Sequence, residues 1–512
     1  MTRERWKNLF ERLRTVAATI NMKYAILAAA FILLVGIVAG ILLNSLSPSF
    51  LPSYLADDIP APKRIVSVDS VGSLNNAIIS ALPGDRIVVE NGEYITSSHI
   101  VISARGTESS PIVITAESAG DVEIAGERGF LLDGAHNIVI HGFKFTHSQD
   151  NSATTGDMAI RCNDCRNVRF SGNTFALTTD YNSQDDIESI DRYHSDWLGI
   201  TGSSFNIRID HNAFHNKTTR GVFLLLLGEG NNVVRNTVVD HNRFSDHSYR
   251  HGNGGECVRI GFSGMGTSTG NSVFEYNTFE RCNGDSEVIS VKSSKNTFRY
   301  NTFGNNYGSL VFRHGSGNTA DGNIFVDGRN GIRSYGANQV IINNYFSDNP
   351  MTTVGVSNPI VIGRATVLDD LSSSNAEYSQ SRNVLIAHNT LVGNNVNIVV
   401  GAFSGGYLPE NITVANNIIT SSNGKLIQVL NGSVTFSKNI LYPTGAATIG
   451  DVPLSGYSIM NPLLERSGAI MRPAATSPAV DAISFSEAYS VITDIDGQVR
   501  GGRSDIGADE VG

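Results

Sequence analysis

The chain has 512 residues, of which 17% are charged, 41% are apolar and 51 are glycine. This composition is typical of a folded protein with a large core, and it excludes a disordered or low-complexity chain. The formal net charge of −10 gives no general attraction for nucleic acid, so an anionic partner would have to bind in a local basic cleft.

The N-terminal region predicts an exported protein. Residues 1–23 are basic, and residues 24–43 form a run of twenty without a charge, enough to cross a hydrocarbon core of about 30 Å. The Lys and Arg before this run place residues 1–23 in the cytoplasm and the remainder outside, in the periplasm or beyond. We expect an uncleaved transmembrane anchor. The alternative is a cleaved signal peptide and a secreted protein, although signal peptides usually carry shorter apolar runs of about 7–15 residues.

Residues 44–62 contain Ser and Pro without periodicity and predict a linker to one domain over 63–512. Residues 73–82 predict a short helix, with Ser73 as the N-cap and Pro83 and Gly84 ending it. We expect this helix to cap one end of the domain. Strand-like runs follow the helix at 86–90, 99–103 and 111–115.

A sequence repeat then runs through most of the chain. The segment NVRFSGNTF at 167–175 returns in forms such as NIRIDHNAF and NTVVDHNRF. The second Asn of the repeat falls at Asn173, Asn212, Asn242, Asn277, Asn301, Asn323, Asn344, Asn389, Asn417 and Asn439.

A period of about 20–25 residues with short strands predicts a solenoid. Leucine-rich repeats have a competing period, but their Leu-dominated pattern and helical half are missing. A parallel β-helix fits better, because each coil would turn Val, Ile and Phe toward one long core. Asn can adopt the left-handed conformation at corners and stack on the Asn of neighbouring coils. We therefore interpret most of the repeated Asn as structural.

Two insertions, at about 176–202 and 348–380, predict loops at the rim of the solenoid. The first contains side chains that suit either sugar stacking or simple loop packing: Tyr181, Tyr193, His194 and Trp197. After about residue 445 the repeat fades, and we expect the tail to cover the open C-terminal end, because exposed strand edges invite aggregation.

The four Cys are too few for a disulfide scaffold in a chain of this length. Cys162 and Cys165 resemble half a zinc site, but no second Cys/His pair accompanies them. A surface disulfide or free thiols are the simpler interpretations, and the pairing of Cys257 and Cys282 is left open.

Residues 253–314 carry charges that a purely structural strand does not need. Three strand-like segments contribute Asn253, Glu256 and Arg259, then Asp285, Glu287 and Lys292, then Arg313 and His314. Acidic oxygens beside Lys and Arg suggest a hard cation next to a base and an acid. The alternative is a ladder of charge pairs on an inert solenoid.

The repeat supplies a geometry for these residues. Lys292 and Arg313 are one coil apart, so we expect them at matching positions on neighbouring strands, about 4.8 Å apart. Asp285 and Glu287 share a strand face, and with Asn253 they offer oxygen ligands suited to Ca²⁺. Strict alternation places Lys292 on the opposite face from Glu287, so we expect a bulge between them.

These segments resemble polysaccharide lyase family 6, which contains alginate lyases and the chondroitinase B type. The resemblance rests on NGGECVRIG at 253–261, SEVISVKSS at 286–294 and FRHGSGNTADGNIF at 312–325, and it covers roughly residues 65–510. It implies an all-β, single-stranded, right-handed parallel β-helix with an N-terminal helical cap. It also implies calcium-assisted β-elimination on a uronate polysaccharide.

By position, the resemblance makes Lys292 the base and Arg313 the acid. It makes Asn253, Asp285 and Glu287 the Ca²⁺ ligands, with Asp285 standing where the family has Glu. Residues expected to bind substrate are His314, Arg333, Arg259 and Trp197.

Alginate is the expected substrate, because no dedicated sulfate-binding Arg cluster is evident; dermatan sulfate is the alternative. A β-helix glycoside hydrolase would need a set of catalytic Asp residues, which Asp164, Asp185 and Asp210 do not form. A non-catalytic polysaccharide-binding solenoid is the third possibility. The expected partners are an anionic polysaccharide and, through the N-terminal segment, a membrane. Preference for mannuronate or guluronate and endo or exo action are left open.

Overall fold

The computed structural model describes residues 59–146, 158–177, 195–249, 252–329, 331–350, 358–369, 377–487 and 489–511. The predicted cytoplasmic segment, the predicted membrane span and most of the predicted linker lie outside these residues. In the part of the chain that is described, no helix is both long and apolar enough to cross a membrane.

Three long parallel sheets surround one core. The fourteen strands of sheet A are Arg64–Val68, Asp85–Val89, Ile112–Ala116, His136–His141, Arg166–Ser171, Phe205–Asp210, Arg235–Asp240, Val273–Glu275, Thr297–Arg299, Thr319–Asp321, Val340–Ile342, Arg382–Ala387, Glu410–Ala415 and Val434–Ser437. The fourteen strands of sheet B are Gly92–Thr96, Val122–Gly126, Phe143–Phe145, Thr174–Phe175, Ala213–Lys217, Arg243–His247, Thr278–Cys282, Thr302–Gly304, Ile324–Val326, Tyr345–Ser347, Thr390–Val392, Ile418–Ser421, Asn439–Pro443 and Tyr457–Ser458. The thirteen strands of sheet C are Ile100–Ile102, Phe130–Asp133, Ile160–Asn163, Leu198–Thr201, Leu224–Gly228, Val258–Ile260, Glu287–Lys292, Ser309–His314, Ile332–Ser334, Ile360–Gly363, Ile398–Ala402, Lys425–Val429 and Thr448–Gly450.

Successive strands visit sheets A, B and C in turn, so each coil contributes one strand to each sheet. This confirms the predicted all-β solenoid with parallel strands; its handedness stays a prediction. The C-terminal region adds two antiparallel pairs, Leu464–Ser467 with Ile470–Pro473 and Ile483–Ser484 with Arg503–Ser504. Short 3-10 helices occur at Ser263–Met265, Leu454–Gly456 and Phe485–Glu487.

The predicted N-terminal helix is present at Val71–Ile79, but its N-cap is Ser70 rather than Ser73. The backbone N–H of Ser73 donates to Oγ of Ser70, and the backbone N–H of Ser70 donates to Oγ of Ser73. This reciprocal capping box places Ser73 in the third helical position. Buried Leu74 and Ile78 join the helix to the core.

Phenylalanines of the repeat form a continuous stack in the core. Neighbouring ring centroids lie 4.4–5.1 Å apart. The stacked residues are Phe145, Phe175, Phe214, Phe244, Phe279, Phe303, Phe325 and Phe346. All are essentially inaccessible to solvent, which confirms the prediction that the Phe of the repeat turns inward toward the core.

The ten repeated asparagines form the predicted ladder at the corner between sheets A and B. Each donates from Nδ2 to Oδ1 of the next, at 2.9–3.0 Å from Asn173 to Asn439. The left-handed conformation belongs to other residues, such as Tyr300 (φ 54°) before Asn301 and the outer Asn206 (φ 54°). The expectation that one Asn does both is wrong, because the ladder amide must point inward while its predecessor turns the chain.

Asn301→Ala is expected to destabilise the protein by about 3 kcal/mol or more, since each buried polar group left unpaired costs about 1–3 kcal/mol. Nδ2 of Asn301 donates to the carbonyls of Phe274 and Arg299, and its Oδ1 accepts from the backbone N–H of Asn277. The measurement is the drop in thermal unfolding midpoint. Asn305→Gly is the control, since Asn305 is exposed with φ 55°; equal midpoints for the two variants would contradict the structural role of the ladder.

The two insertions only partly form rim loops. Residues 178–194, with Tyr181, Tyr193 and His194, lie outside the described residues. Leu198–Thr201, near the end of the first insertion, and Ile360–Gly363, in the middle of the second, are strands of sheet C. The coils therefore continue on either side of each insertion.

The C-terminal tail runs along the side of the solenoid, at the corner between sheets A and B. Arg500 donates to Oδ1 of Asn343 (2.9 Å), and the backbone N–H of Gly507 donates to the carbonyl of Asn416 (2.9 Å). Ile470, Ile483, Ile495 and Ile506 bury outward-facing apolar residues such as Tyr345 and Ile418. The region around Val452 and Tyr457 packs against the core at the last coil, and Ile440 of that region packs with Ile483 and Ile506. The prediction that the whole tail covers the open end is wrong, because these outward apolar side chains need covering along several coils.

Cys162 and Cys165 form a disulfide that is buried, not on the surface. Cys257 and Cys282 are free and buried.

Candidate active site on the outer face of sheet C

A cleft of about 1320 Å³ opens beside three successive strands of sheet C, Glu287–Lys292, Ser309–His314 and Ile332–Ser334. It also includes the corners that lead into these strands from sheet B. The predicted site residues that line the cleft are Asn253, Asp285, Glu287, Arg313 and Arg333.

The register of these strands determines how the charges meet. Glu287 lies opposite Ser309, and the pairing shifts after Glu287 and again after Val291. The first shift confirms the predicted bulge between Glu287 and Lys292. The second places Lys292 opposite His314, with Arg313 as the extra residue. The expectation that Lys292 and Arg313 occupy matching positions is wrong by one residue, because a bulge cannot be read from spacing alone.

Glu287 is the centre of a buried charge cluster. Its Oε1 accepts from Nη2 of Arg333 at 2.6 Å and lies 3.6 Å from Nη1 of Arg313. Burial raises the pKa of Glu287, but the charges of Arg333 and Arg313 outweigh it, so the pKa is lowered overall. Glu287 is therefore held as a carboxylate.

Lys292 is 8% exposed and makes no hydrogen bond or ion pair with any described residue. Burial, followed by the positive charges of Arg259 and Arg313, lowers its pKa to about 8. A lysine with this pKa is partly neutral near neutral pH. It can therefore accept a proton, which an ordinary surface lysine cannot do at that pH.

Asp285 and Glu287 offer carboxylate oxygens to a cation. Burial and the negative charges of Glu256 and Glu287 raise the pKa of Asp285. Oδ2 of Asp285 accepts from the backbone N–H of Gly254 at 3.0 Å. Oε2 of Glu287 is buried and accepts no hydrogen bond by distance and angle from the described residues. With exposed Asn253 also in the cleft, this set of carboxylate and amide oxygens fits a hard cation, which prefers oxygen ligands.

The guanidinium of Arg259 is already paired with a carboxylate of the protein. Its Nη2 donates to Oε2 of the buried Glu256 at 2.7 Å, and its side chain is 17% exposed. Arg259 does not line the cleft. The structure places it as a fixed positive charge near Lys292 rather than as an open binding group.

Two further predicted substrate contacts are corrected. Trp197 is 1% exposed, packs edge-on against Phe223 and lies under the ammonium of Lys217. It is a core residue, because the chain at the end of the insertion has already returned to the coil. His314 is 0% exposed and lies beside Tyr378, with ring centroids 6.3 Å apart. It is a buried neighbour of Lys292 rather than a residue of the cleft.

The cleft residues that the sequence missed include Tyr307, Arg329 and Tyr378. The guanidinium of Arg313 lies 5.5 Å from the ring centroid of Tyr378. Tyr378 stands at the end of the second insertion, where no repeat position identifies it. Tyr307 and Arg329 could have been found, because they lie one and two coils after Asp285 at the corresponding corner before the sheet C strand.

A second acidic group lies in the C-terminal tail, where carboxylate oxygens of Asp494, Asp496 and Asp509 come within 4.8 Å of one another. Arg472 pairs with both Asp496 and Asp509. Asp494 accepts backbone N–H groups, including that of Gln498 at 2.7 Å. These carboxylates thus have internal partners, although they remain a competing place for a cation.

The described residues give no support to a hydrolase site on the predicted aspartates. Asp210 is buried on sheet A and paired with Arg169 at 2.7 Å. Asp164 is a corner residue with φ 52°, and Asp185 lies outside the described residues. Asp164 and Asp210 are therefore explained by structural roles.

The fold and the cleft together define a parallel β-helix that carries a charged cleft along three neighbouring coils. The chain belongs to polysaccharide lyase family 6, since the family model described as Chondroitinase B matches residues 68–449. Its homologues are polysaccharide lyases, which supports a lyase activity.

Solved structures agree with this assignment. A variant of the PL6 family alginate lyase AlyGC is 25% identical with a TM-score of 0.68, and the match covers 88% of this chain and 58% of that one. This chain thus spans little more than half of AlyGC. A mannuronic acid specific family 6 lyase from human gut microbiota is 23% identical, with a TM-score of 0.63 and coverage of 74% and 86%. The PL6 family polysaccharide lyase Pedsa3628 from Pseudopedobacter saltans is 23% identical, with a TM-score of 0.58 and coverage of 75% and 92%. No curated protein matches the chain.

Proposed function

We propose that this protein cleaves alginate by β-elimination, with Lys292 as the base and Arg313 at the leaving oxygen. The observation that carries the proposal is Lys292 itself. It is a buried lysine without a hydrogen-bonding partner among the described residues, with a pKa lowered to about 8, beside a cleft whose lining includes three arginines and four carboxylates.

The reaction begins with removal of the proton at C5 of a uronate. Electrons from the C5–H bond form the C4–C5 double bond, and the glycosidic bond from C4 to its oxygen breaks. Neutral Lys292 accepts the proton, and Arg313 stabilises the charge on the leaving oxygen or assists its protonation by water.

The uronate carboxylate must be neutralised for its C5 proton to become acidic enough. Asn253, Asp285 and Glu287 would hold Ca²⁺, which supplies positive charge against that carboxylate. Arg333 orients Glu287, to which it donates at 2.6 Å. Because Arg313 and Arg333 already face Glu287, the protein's own charges hold this carboxylate in place before substrate binds.

Alginate is favoured over dermatan sulfate by the charges that line the cleft. The lining includes three arginines, Arg313, Arg329 and Arg333, and two of them face Glu287. This leaves no cluster of unpaired arginines for sulfate among the described residues. A dermatan sulfate lyase is the second candidate, because the matching family model is that of chondroitinase B.

The test is to incubate the purified protein separately with alginate and dermatan sulfate and to identify the products by mass. We expect oligouronates from alginate, each 18 mass units lighter than a hydrolysis product would be (the mass of one water), with ultraviolet absorbance from the new double bond. Shorter chains without absorbance would establish a hydrolase instead. Binding without any shortening would establish a non-catalytic solenoid.

We also propose that residues 24–43 anchor the enzyme in the membrane with the β-helix outside. The sequence supports this through the uncharged run and the basic residues before it. The protein should then stay in the membrane fraction after alkaline washing, whereas release into the medium with a shortened N-terminus would establish cleavage.

A further inference from the structure

The cleft extends along the corner between sheets B and C, beyond the residues assigned to the chemistry. Glu287 pairs with Ser309 and Leu310 pairs with Ile332, so each of these coils is 22 residues long. Positions 285, 307 and 329 therefore lie at the corners that lead from sheet B into three neighbouring strands of sheet C. Asp285, Tyr307 and Arg329 stand there, and all three line the cleft.

A backbone hydrogen bond to the preceding coil fixes the position of both Tyr307 and Arg329. The N–H of Tyr307 donates to Oδ1 of Asn283 at 2.7 Å, and the N–H of Arg329 donates to the carbonyl of Asn306 at 2.9 Å. Equivalent positions on neighbouring coils are about 4.8 Å apart. Tyr307 and Arg329 thus lie roughly 5 and 10 Å beyond Asp285 along the solenoid.

Arg329 is the cleft arginine that makes no ion pair with the described residues. Its guanidinium lies 5.7 Å from the ring centroid of Tyr307, and its side chain is exposed. It forms no ion pair with a described residue, whereas Arg313 and Arg333 both face Glu287. An arginine stacked on an aromatic ring is ordered in advance and still presents its N–H edge, which matches a carboxylate in bidentate geometry.

We propose that Arg329, supported by Tyr307, binds the carboxylate of a uronate neighbouring the one that reacts. This inference rests on the proposed function, because it needs a polymer with a carboxylate on adjacent sugars. Asp327 and Asp348, which also line this part of the cleft, oppose additional negative groups such as sulfate. The subsite therefore suits a chain with one carboxylate per sugar.

The test compares kcat/KM for size-defined alginate oligosaccharides in wild type, Arg329→Ala and Arg329→Lys. Arg329→Ala is expected to lower kcat/KM by about tenfold or more on long oligosaccharides, the effect of one charged hydrogen-bonding group, and to leave the shortest cleavable one unchanged. Arg329→Lys should recover part of the loss. Tyr307→Ala, which removes the ring against which Arg329 packs, should fall between wild type and Arg329→Ala.

Arg235→Ala is the matched control, since Arg235 is exposed on sheet A away from the cleft. Equal kcat/KM for wild type and Arg329→Ala at every length, or an equal loss at every length, would overturn the subsite. Failure of the proposed function would look different, because wild type itself would cleave no uronate polymer. In that case the subsite is tested by measuring the Kd of an alginate hexasaccharide by calorimetry in wild type and in Arg329→Ala. An equal Kd in the two proteins would reject the subsite.

Discussion

Lys292→Ala is expected to lower eliminative cleavage of alginate by about 10²–10⁴-fold, the usual contribution of a positioned general base. The variant removes a buried ammonium that no described residue pairs with, so the fold should tolerate it. Lys292→Arg is the sharper variant, because it keeps the positive charge but cannot become neutral. If Lys292→Arg retained near-wild-type kcat, the residue would act through its charge and not as a base.

Lys295→Asn is the matched control for the loss of a nearby lysine. Lys295 is exposed and has φ 60°, a conformation that Asn adopts at the corresponding corner of neighbouring coils, as Asn271 does with φ 49°. This variant should keep wild-type activity. A loss comparable to that of Lys292→Ala would show that the net charge near the cleft matters more than the base.

The pH dependence follows from the lowered pKa of Lys292, about 8. The base must be neutral, so kcat/KM should rise with pH below this value and level off above it. A cation bound at Glu287 would lower the pKa further and move the rise to lower pH. Activity that falls as pH rises from 6 to 8 would contradict the assignment of Lys292 as the base.

The architecture was predictable from sequence because the same physical demand recurs on every coil. A buried corner needs an amide that satisfies backbone groups above and below, and Asn301 and its equivalents supply it. A narrow core needs a flat ring that stacks, and Phe303 and its equivalents supply it. Since the demand repeats about every 22 residues, so does the sequence.

The site was less predictable, because single-residue irregularities decide where side chains point. The bulge before Lys292 was expected from the need to bring it to the face of Glu287. The second shift, which makes Arg313 the extra residue and buries His314, leaves no trace in the spacing. Trp197 failed as a predicted sugar contact for a related reason, since no pattern marks where an insertion ends and the coil resumes.

Glu287→Gln is expected to abolish stabilisation of the protein by calcium and to lower activity by about 100-fold or more. Glu287 is the carboxylate that faces two arginines and keeps a buried oxygen free of hydrogen bonds from the described residues. In wild type, calcium at a hundred times its Kd should stabilise the folded state by about 2.7 kcal/mol. Thermal midpoints measured with and without added calcium, after chelation, report this directly and need no substrate.

Asp496→Asn separates the cleft from the acidic group in the tail. Asp496 lies with Asp494 and Asp509, the other place among the described residues where carboxylate oxygens converge. If calcium binds at the cleft, Asp496→Asn should keep the wild-type rise in midpoint while Glu287→Gln loses it. The reverse result would place the ion in the C-terminal tail, and activity that survives complete calcium removal would take the metal out of the proposed mechanism. Arg472 already pairs with Asp496 and Asp509, whereas Asp285 in the cleft pairs with no positive group among the described residues. We therefore expect the cleft to bind the ion.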